Sequence, residues 1–78
     1  MTVSAYVLIQ TEAGKGARVA GEVAELDGVQ CADDVTGPYD VIVRAEAGSI
    51  DALGRLVVGG IQLVEGIART LTCPVVHL

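Results

Sequence analysis

The sequence predicts an α+β domain of the ferredoxin-like βαββαβ type, a four-stranded antiparallel sheet in the order 4-1-3-2 with both helices on one face. Three observations lead there. Four short segments are β-branched or alternate in polarity, two segments between them repeat apolar residues at helical spacing, and the six follow one another in that order. Right-handed crossovers then fix the strand order. The chain of 78 residues leaves no room for a second core, so residues 1–78 are one domain.

The first strand covers Thr2 to Gln10 and is bounded by polar residues. Val3, Ala5, Val7 and Ile9 share one face, and Tyr6 and Leu8 occupy the other, so this strand has little to show water on either side. After Gly14-Lys15-Gly16, the residues Val19, Val23 and Leu26 recur at helical spacing and predict an amphipathic helix that ends near Asp27-Gly28. Gly28 suits a left-handed helix terminus. From Val29 to Thr36 a second strand sets Val29, Cys31, Asp33 and Val35 against Gln30, Ala32, Asp34 and Thr36, and its polarity fits a sheet edge.

Thr36-Gly37-Pro38-Tyr39-Asp40 reads as a turn, because Gly and Pro together stop a ladder. A third strand from Asp40 to Ala47 turns Val41, Val43 and Ala45 inward, with Ile42, Arg44 and Glu46 opposite. Ser49 is the expected N-cap of a second helix whose apolar face is Ile50, Leu53, Val57 and Ile61, with Gly59-Gly60 ending or fraying it. The fourth strand runs from Ile67 to Val76, and Pro74 places it at an edge.

Composition narrows the function. Hydrophobic residues make up 51% of the chain without a Phe or Trp, which is rich for this length. A domain so small buries only about 60% of its unfolded surface, so a partner copy would help. No apolar run approaches the roughly 18 residues of a membrane span. Met1-Thr2-Val3-Ser4 lacks the features of a secretion signal, so the expected location is cytoplasmic. A net charge of -5 argues against direct nucleic-acid binding, which rests on Lys and Arg neutralising phosphates. Cys31 and Cys73 are expected to be buried, reduced thiols, standing roughly 14 Å apart across three strand spacings and so beyond disulfide reach. They form no metal-ligand set.

No catalytic arrangement emerges. His77 is next to last in the chain, consecutive Asp33 and Asp34 fall on opposite strand faces, and Gly14-Lys15-Gly16 lacks the spacing of a phosphate loop. Two surfaces stand out instead. Tyr6, Leu8 and Ile42 would form an apolar patch on the sheet face without helices, which predicts that two copies pack sheet on sheet. The turn from Thr36 to Asp40 and the strand residues Arg69, Thr70 and Thr72 carry donors and a carboxylate that suit a free amino acid. The same residues also fit an ordinary tight turn and ordinary strand positions, and spacing alone favours that plainer reading.

Thr36-Gly37-Pro38-Tyr39-Asp40 and the later Gly66-Ile67-Ala68-Arg69-Thr70-Leu71-Thr72 resemble the TG-x-YD and GV-x-RT-x-T signatures of the RAM domain, the effector-binding half of Lrp/AsnC transcription regulators. The resemblance covers essentially the whole chain. It implies a domain that dimerises through its sheet, assembles into rings of dimers and binds amino-acid effectors between dimers, with no cofactor. Carried over by motif, Gly37, Tyr39, Asp40, Thr70 and Thr72 line the effector pocket. Full-length members add an N-terminal winged helix-turn-helix. A chain starting at the first RAM strand resembles the stand-alone members, which act on transcription or amino-acid metabolism by joining or titrating full-length regulators. The glycine pair Gly59-Gly60 and the absence of a basic tail depart from the family and leave ring size open. Two alternatives share the strand order. A dimeric α+β barrel monooxygenase or isomerase needs a cavity lined by His, Asn, Trp or Phe, and an ACT-like regulatory domain sets its sheets side by side. A ferredoxin-like metal chaperone needs a CxxC loop where this chain has Thr11-Glu12-Ala13-Gly14.

Overall fold

The computed structural model describes residues 2–77. In chain order the elements are β1 (Val3–Thr11), α1 (Gly16–Val23), β2 (Val29–Asp34), β3 (Val41–Ala47), α2 (Ile50–Gly59), a short 3-10 turn (Ile61–Leu63) and β4 (Ile67–Pro74). The strands form one antiparallel sheet in the order β2-β3-β1-β4, the predicted topology read from its other edge.

Alternation along β1 builds the core. Val7, Ile9, Val41, Val43, Val19, Val23 and Ile61 are fully buried, so the β1 and β3 residues predicted to face inward meet the apolar rows of the helices. Ala5, Ala45 and Leu53 make a second, smaller cluster under α2. The small alanines let that helix approach the sheet closely. At the start of α2 the Ser49 hydroxyl accepts the Ala52 N–H at 3.0 Å, as the cap reading expects. Gly28 has φ +95, and a Cβ there would stand 2.9 Å from the Glu46 carbonyl oxygen. This position therefore requires glycine for both conformation and space.

Several boundaries move. β1 starts and ends one residue later than predicted, and β4 stops at Pro74, although the Val75 N–H still donates to the Ser4 oxygen at 2.8 Å. β2 ends at Asp34 and β3 begins at Val41, because the Val35 N–H turns to the Asp40 carbonyl and closes the loop. Ile61 leaves the helix and is buried from the 3-10 turn. The predicted alternation of the second strand also breaks: Val29 pairs with Ala45 but Cys31 with Arg44, so an irregularity at Gln30 puts Val29 and Ala32 on the same side.

The cysteines are a correction. Cys31 and Cys73 are free thiols, as a three-strand separation requires, but both are exposed rather than buried. Each lies on an outer strand, and their register partners Arg44 and Tyr6 point away from the helices. No described helix is long and apolar enough to cross a membrane.

Candidate functional site

The predicted effector residues fall into two groups on either side of β1. The turn group is closed by one hydrogen bond of its own and tied to the end of β1 by three more. The Asp40 N–H donates to the Ile9 oxygen at 2.9 Å, the Val35 N–H to the Asp40 oxygen at 2.8 Å, and the Gln10 carboxamide to the Pro38 oxygen at 3.1 Å. The Asp40 carboxylate takes the Thr11 N–H at 2.8 Å through Oδ2. Thr11 lies where the β1 and β4 register shifts, so this carboxylate serves a backbone donor at an irregular point of the ladder. Gly37 has φ +143, a conformation open to glycine. Tyr39 and Asp40 are half-buried, and Gly37 is exposed.

Thr70 and Thr72 pair with Ile9 and Val7, which puts both side chains on the helix side of β4. The Thr70 hydroxyl accepts the Gln62 carboxamide at 2.8 Å and lines a polar depression of about 410 Å³ with Gln62, Ile67, Ala68 and Arg69. Thr72 opens instead into an apolar groove of about 310 Å³ beneath Leu53, Val57 and Val58. Neither hollow includes Gly37, Tyr39 or Asp40. Asp40 and Thr70 both adjoin Ile9, from opposite sides, so about 10 Å of sheet separates the groups. Sequence reasoning missed Gln10, Thr11 and Gln62. Gln62 follows a glycine pair and carries no motif, and the role of Thr11 belongs to its backbone.

The sheet face away from the helices holds Tyr6, Leu8 and Ile42, as predicted. Leu71, 49% exposed, pairs with Leu8 and extends the apolar row Ile42, Leu8, Leu71 over three strands. A second row runs Cys31, Arg44, Tyr6, Cys73 across all four. Within it the Arg44 guanidinium donates to the Tyr6 hydroxyl at 2.8 Å and lies 5.3 Å from the ring centroid. The phenol thus gives the only cation of the row an aromatic face and an acceptor.

The remaining candidates do not converge. Asp33 and Asp34 pair with Ile42 and Val41 and so project from opposite faces. His77 is exposed. At Gly16 the Asp34 carboxylate fills the space beside the backbone, 2.7 Å from where a Cβ would stand, and its charge opposes an anion at the Gly14-Lys15-Gly16 loop. Among the described residues no three His, Cys, Asp or Glu side chains gather as a metal set.

The fold and these surfaces, a ferredoxin-like sheet with a bare apolar face and a polar turn tied to the end of β1, are those of a known family of regulatory domains. The model of the Lrp/AsnC ligand binding domain matches residues 4–77, and the chain belongs to that family. An uncharacterized HTH-type transcriptional regulator of Pyrococcus furiosus is 26% identical over 72 residues, 88% of this chain and 48% of the regulator. The chain thus spans about half the length of the curated relatives it matches. Among solved structures, TTHA0845 from Thermus thermophilus is 30% identical with a TM-score of 0.91, covering 97% of this chain and 95% of that one. Escherichia coli AsnC is 27% identical with a TM-score of 0.89, covering 97% of this chain and 52% of that one. The same fold, at 18% identity and a TM-score of 0.82 over 96% of this chain and 50% of that one, occurs in the Neisseria meningitidis transcriptional regulator NMB0573, solved as an L-Met complex.

Proposed function

We propose that this chain is an amino-acid-sensing regulatory domain that self-associates through its bare sheet face and acts on transcription through other members of its family, with no catalysis and no DNA contact of its own. The observation that carries the reading is the division of the polar groups into two half-sites flanking β1, neither of which encloses a ligand alone. A turn from one copy and a β4 groove from another would complete a pocket at a junction between copies. The L-Met complex of the Neisseria meningitidis regulator supports a free amino acid as the ligand class. In the turn, Asp40 has one carboxylate oxygen committed to Thr11 and a second to offer an ammonium group. Gly37, Tyr39, Thr70 and Thr72 supply the remaining wall and donors. The net charge of -5 fits a domain that leaves phosphate backbones to others.

A thermal-shift screen against the proteinogenic amino acids tests the reading, since a ligand bound to the folded state must raise the melting temperature. At least one amino acid should do so, and calorimetry with Asp40→Asn should then show at least tenfold weaker binding. A flat screen would discard the sensing role.

A further inference from the structure

Cys31, Arg44, Tyr6 and Cys73 stand in one register row across all four strands, on the sheet face away from the helices. Both thiols are free and exposed, one at each end of the row. Three strand spacings, roughly 14 Å, keep them from sharing an ion or a bond within one chain. A second copy changes this, and the charge in the middle of the row decides how.

Two sheets packed face to face keep their strands within about 30° of each other. A two-fold axis between them therefore runs either across the strands or along them. Across the strands, each strand lies on its own copy, and Arg44 is set against Arg44 or Ile42 of the second copy. A guanidinium buried against a like charge or an apolar side chain is costly. Along the strands and through the middle of the sheet, β3 of each copy lies on β1 of the other, and β2 on β4. Arg44 then meets the Tyr6 ring of the second copy, a contact of the kind it already makes within one chain at 5.3 Å. The same operation sets Cys31 of each copy opposite Cys73 of the other, once at each edge.

We propose that each Cys31–Cys73 pair across the sheet contact is a two-coordinate site for a soft monovalent cation of the Cu(I) class. This rests on the reading above that the sheet face pairs the chains. Distance selects an ion over a disulfide. Stacked sheets stand about 10 Å apart, whereas a disulfide joins Cα atoms no more than about 6.8 Å apart. Two metal–thiolate bonds of about 2.3 Å in place of one S–S bond of about 2.05 Å lengthen that reach to about 9 Å. Thiolates are soft donors that select Cu(I), and an edge that brings two of them falls short of the four ligands Zn(II) takes. On binding, each thiol releases its proton to solvent, so two thiolates and one monovalent cation leave one negative charge. Arg44, next to Cys31 in the row, carries the charge that offsets it.

Anaerobic titration of the full chain with Cu(I), in competition with the chelator bathocuproine disulfonate, tests this. The wild-type protein should hold one Cu(I) per chain, with an ultraviolet thiolate-to-metal band and both thiols protected from alkylation. C31S and C73S should each hold none, because every pair then lacks one thiol. Both thiols are exposed, so these variants should keep the wild-type melting temperature. Refolded together, the two variants form mixed dimers in half of the population, each with one intact pair, so uptake should return to about a quarter of the wild-type value. Uptake by either variant alone, no recovery in the mixture, or a wild-type protein that cedes all Cu(I) to the chelator would each overturn the proposal. A disulfide-linked dimer formed by diamide from the metal-free protein would overturn it too, since thiols that join directly leave no space for the ion. Sedimentation of the metal-free protein separates the two readings: a dimer that holds no Cu(I) fails here alone, and a monomer that holds none fails the sheet reading as well. Amino-acid binding enters neither result.

Discussion

Asp40 carries two duties, and two substitutions separate them. Its carboxylate holds the Thr11 N–H at 2.8 Å, so Asp40→Ala leaves a part-buried backbone donor without its partner. That loss should destabilise the domain by about 1–3 kcal/mol in urea unfolding, and the alanine variant cannot report on ligand binding alone. Asp40→Asn keeps an acceptor for Thr11 and removes only the charge, so it should retain most of the stability while losing the ammonium partner. If both variants unfold alike, the charge rather than the acceptor orders the turn. Gly28 is a purely architectural case. A methyl group there would face both an unfavourable φ of +95 and the Glu46 carbonyl oxygen at 2.9 Å. Gly28→Ala should cost about 1–3 kcal/mol in the same assay, the range for a strained backbone position. A neutral result would mean that the α1 to β2 connection relaxes freely.

At the level of elements, periodicity located every strand and helix, and it failed where a local backbone event intervened. Val41, Val43 and Ala45 are buried as alternation demands, because β3 is paired on both sides and cannot slip. β2 is paired on one side only and carries the irregularity at Gln30, which no side-chain pattern announces. That irregularity set the true faces of Val29 and Cys31. The exposed thiols follow from the same limit, since residue type favours burial for cysteine while register decides it. The candidate site was legible as motifs, and the predicted strand order already put the turn before β3 and the threonines of β4 on opposite sides of β1. What was not legible is the contact of the Asp40 carboxylate with the Thr11 N–H, because a backbone donor freed by a register shift leaves no mark on the side-chain pattern. The second helix supports a quantitative expectation. Ser49→Ala removes the cap seen at 3.0 Å and should cost about 1 kcal/mol. Val57→Ala, at a buried core position, should cost more, because it also leaves a cavity. Urea midpoints for the pair give the order directly, and a larger loss at Ser49 would show that α2 is held by its end rather than by its packing.

For the whole molecule the deciding quantity is the free energy of hiding the bare sheet face. Ile42, Leu8 and Leu71 form a continuous apolar row, yet the neighbouring row places Arg44 beside it on a central strand. Burying that cation between two sheets is costly unless its donors and charge are met. The Tyr6 hydroxyl at 2.8 Å meets one donor, and the ring at 5.3 Å offsets part of the desolvation. Tyr6→Phe should therefore weaken pairing more than the loss of one oxygen suggests, because an Arg44 donor is left unmatched in the contact, whereas the same change in an isolated chain would be nearly silent. The measurement is the melting temperature as a function of protein concentration. If folding is coupled to pairing, the wild-type value must climb as the protein is concentrated. For Tyr6→Phe the curve should shift to higher concentration by about tenfold or more, the equivalent of about 1.4 kcal/mol. A melting temperature independent of concentration in both proteins would mean that the apolar row stays wet and Arg44 needs no partner beyond Tyr6.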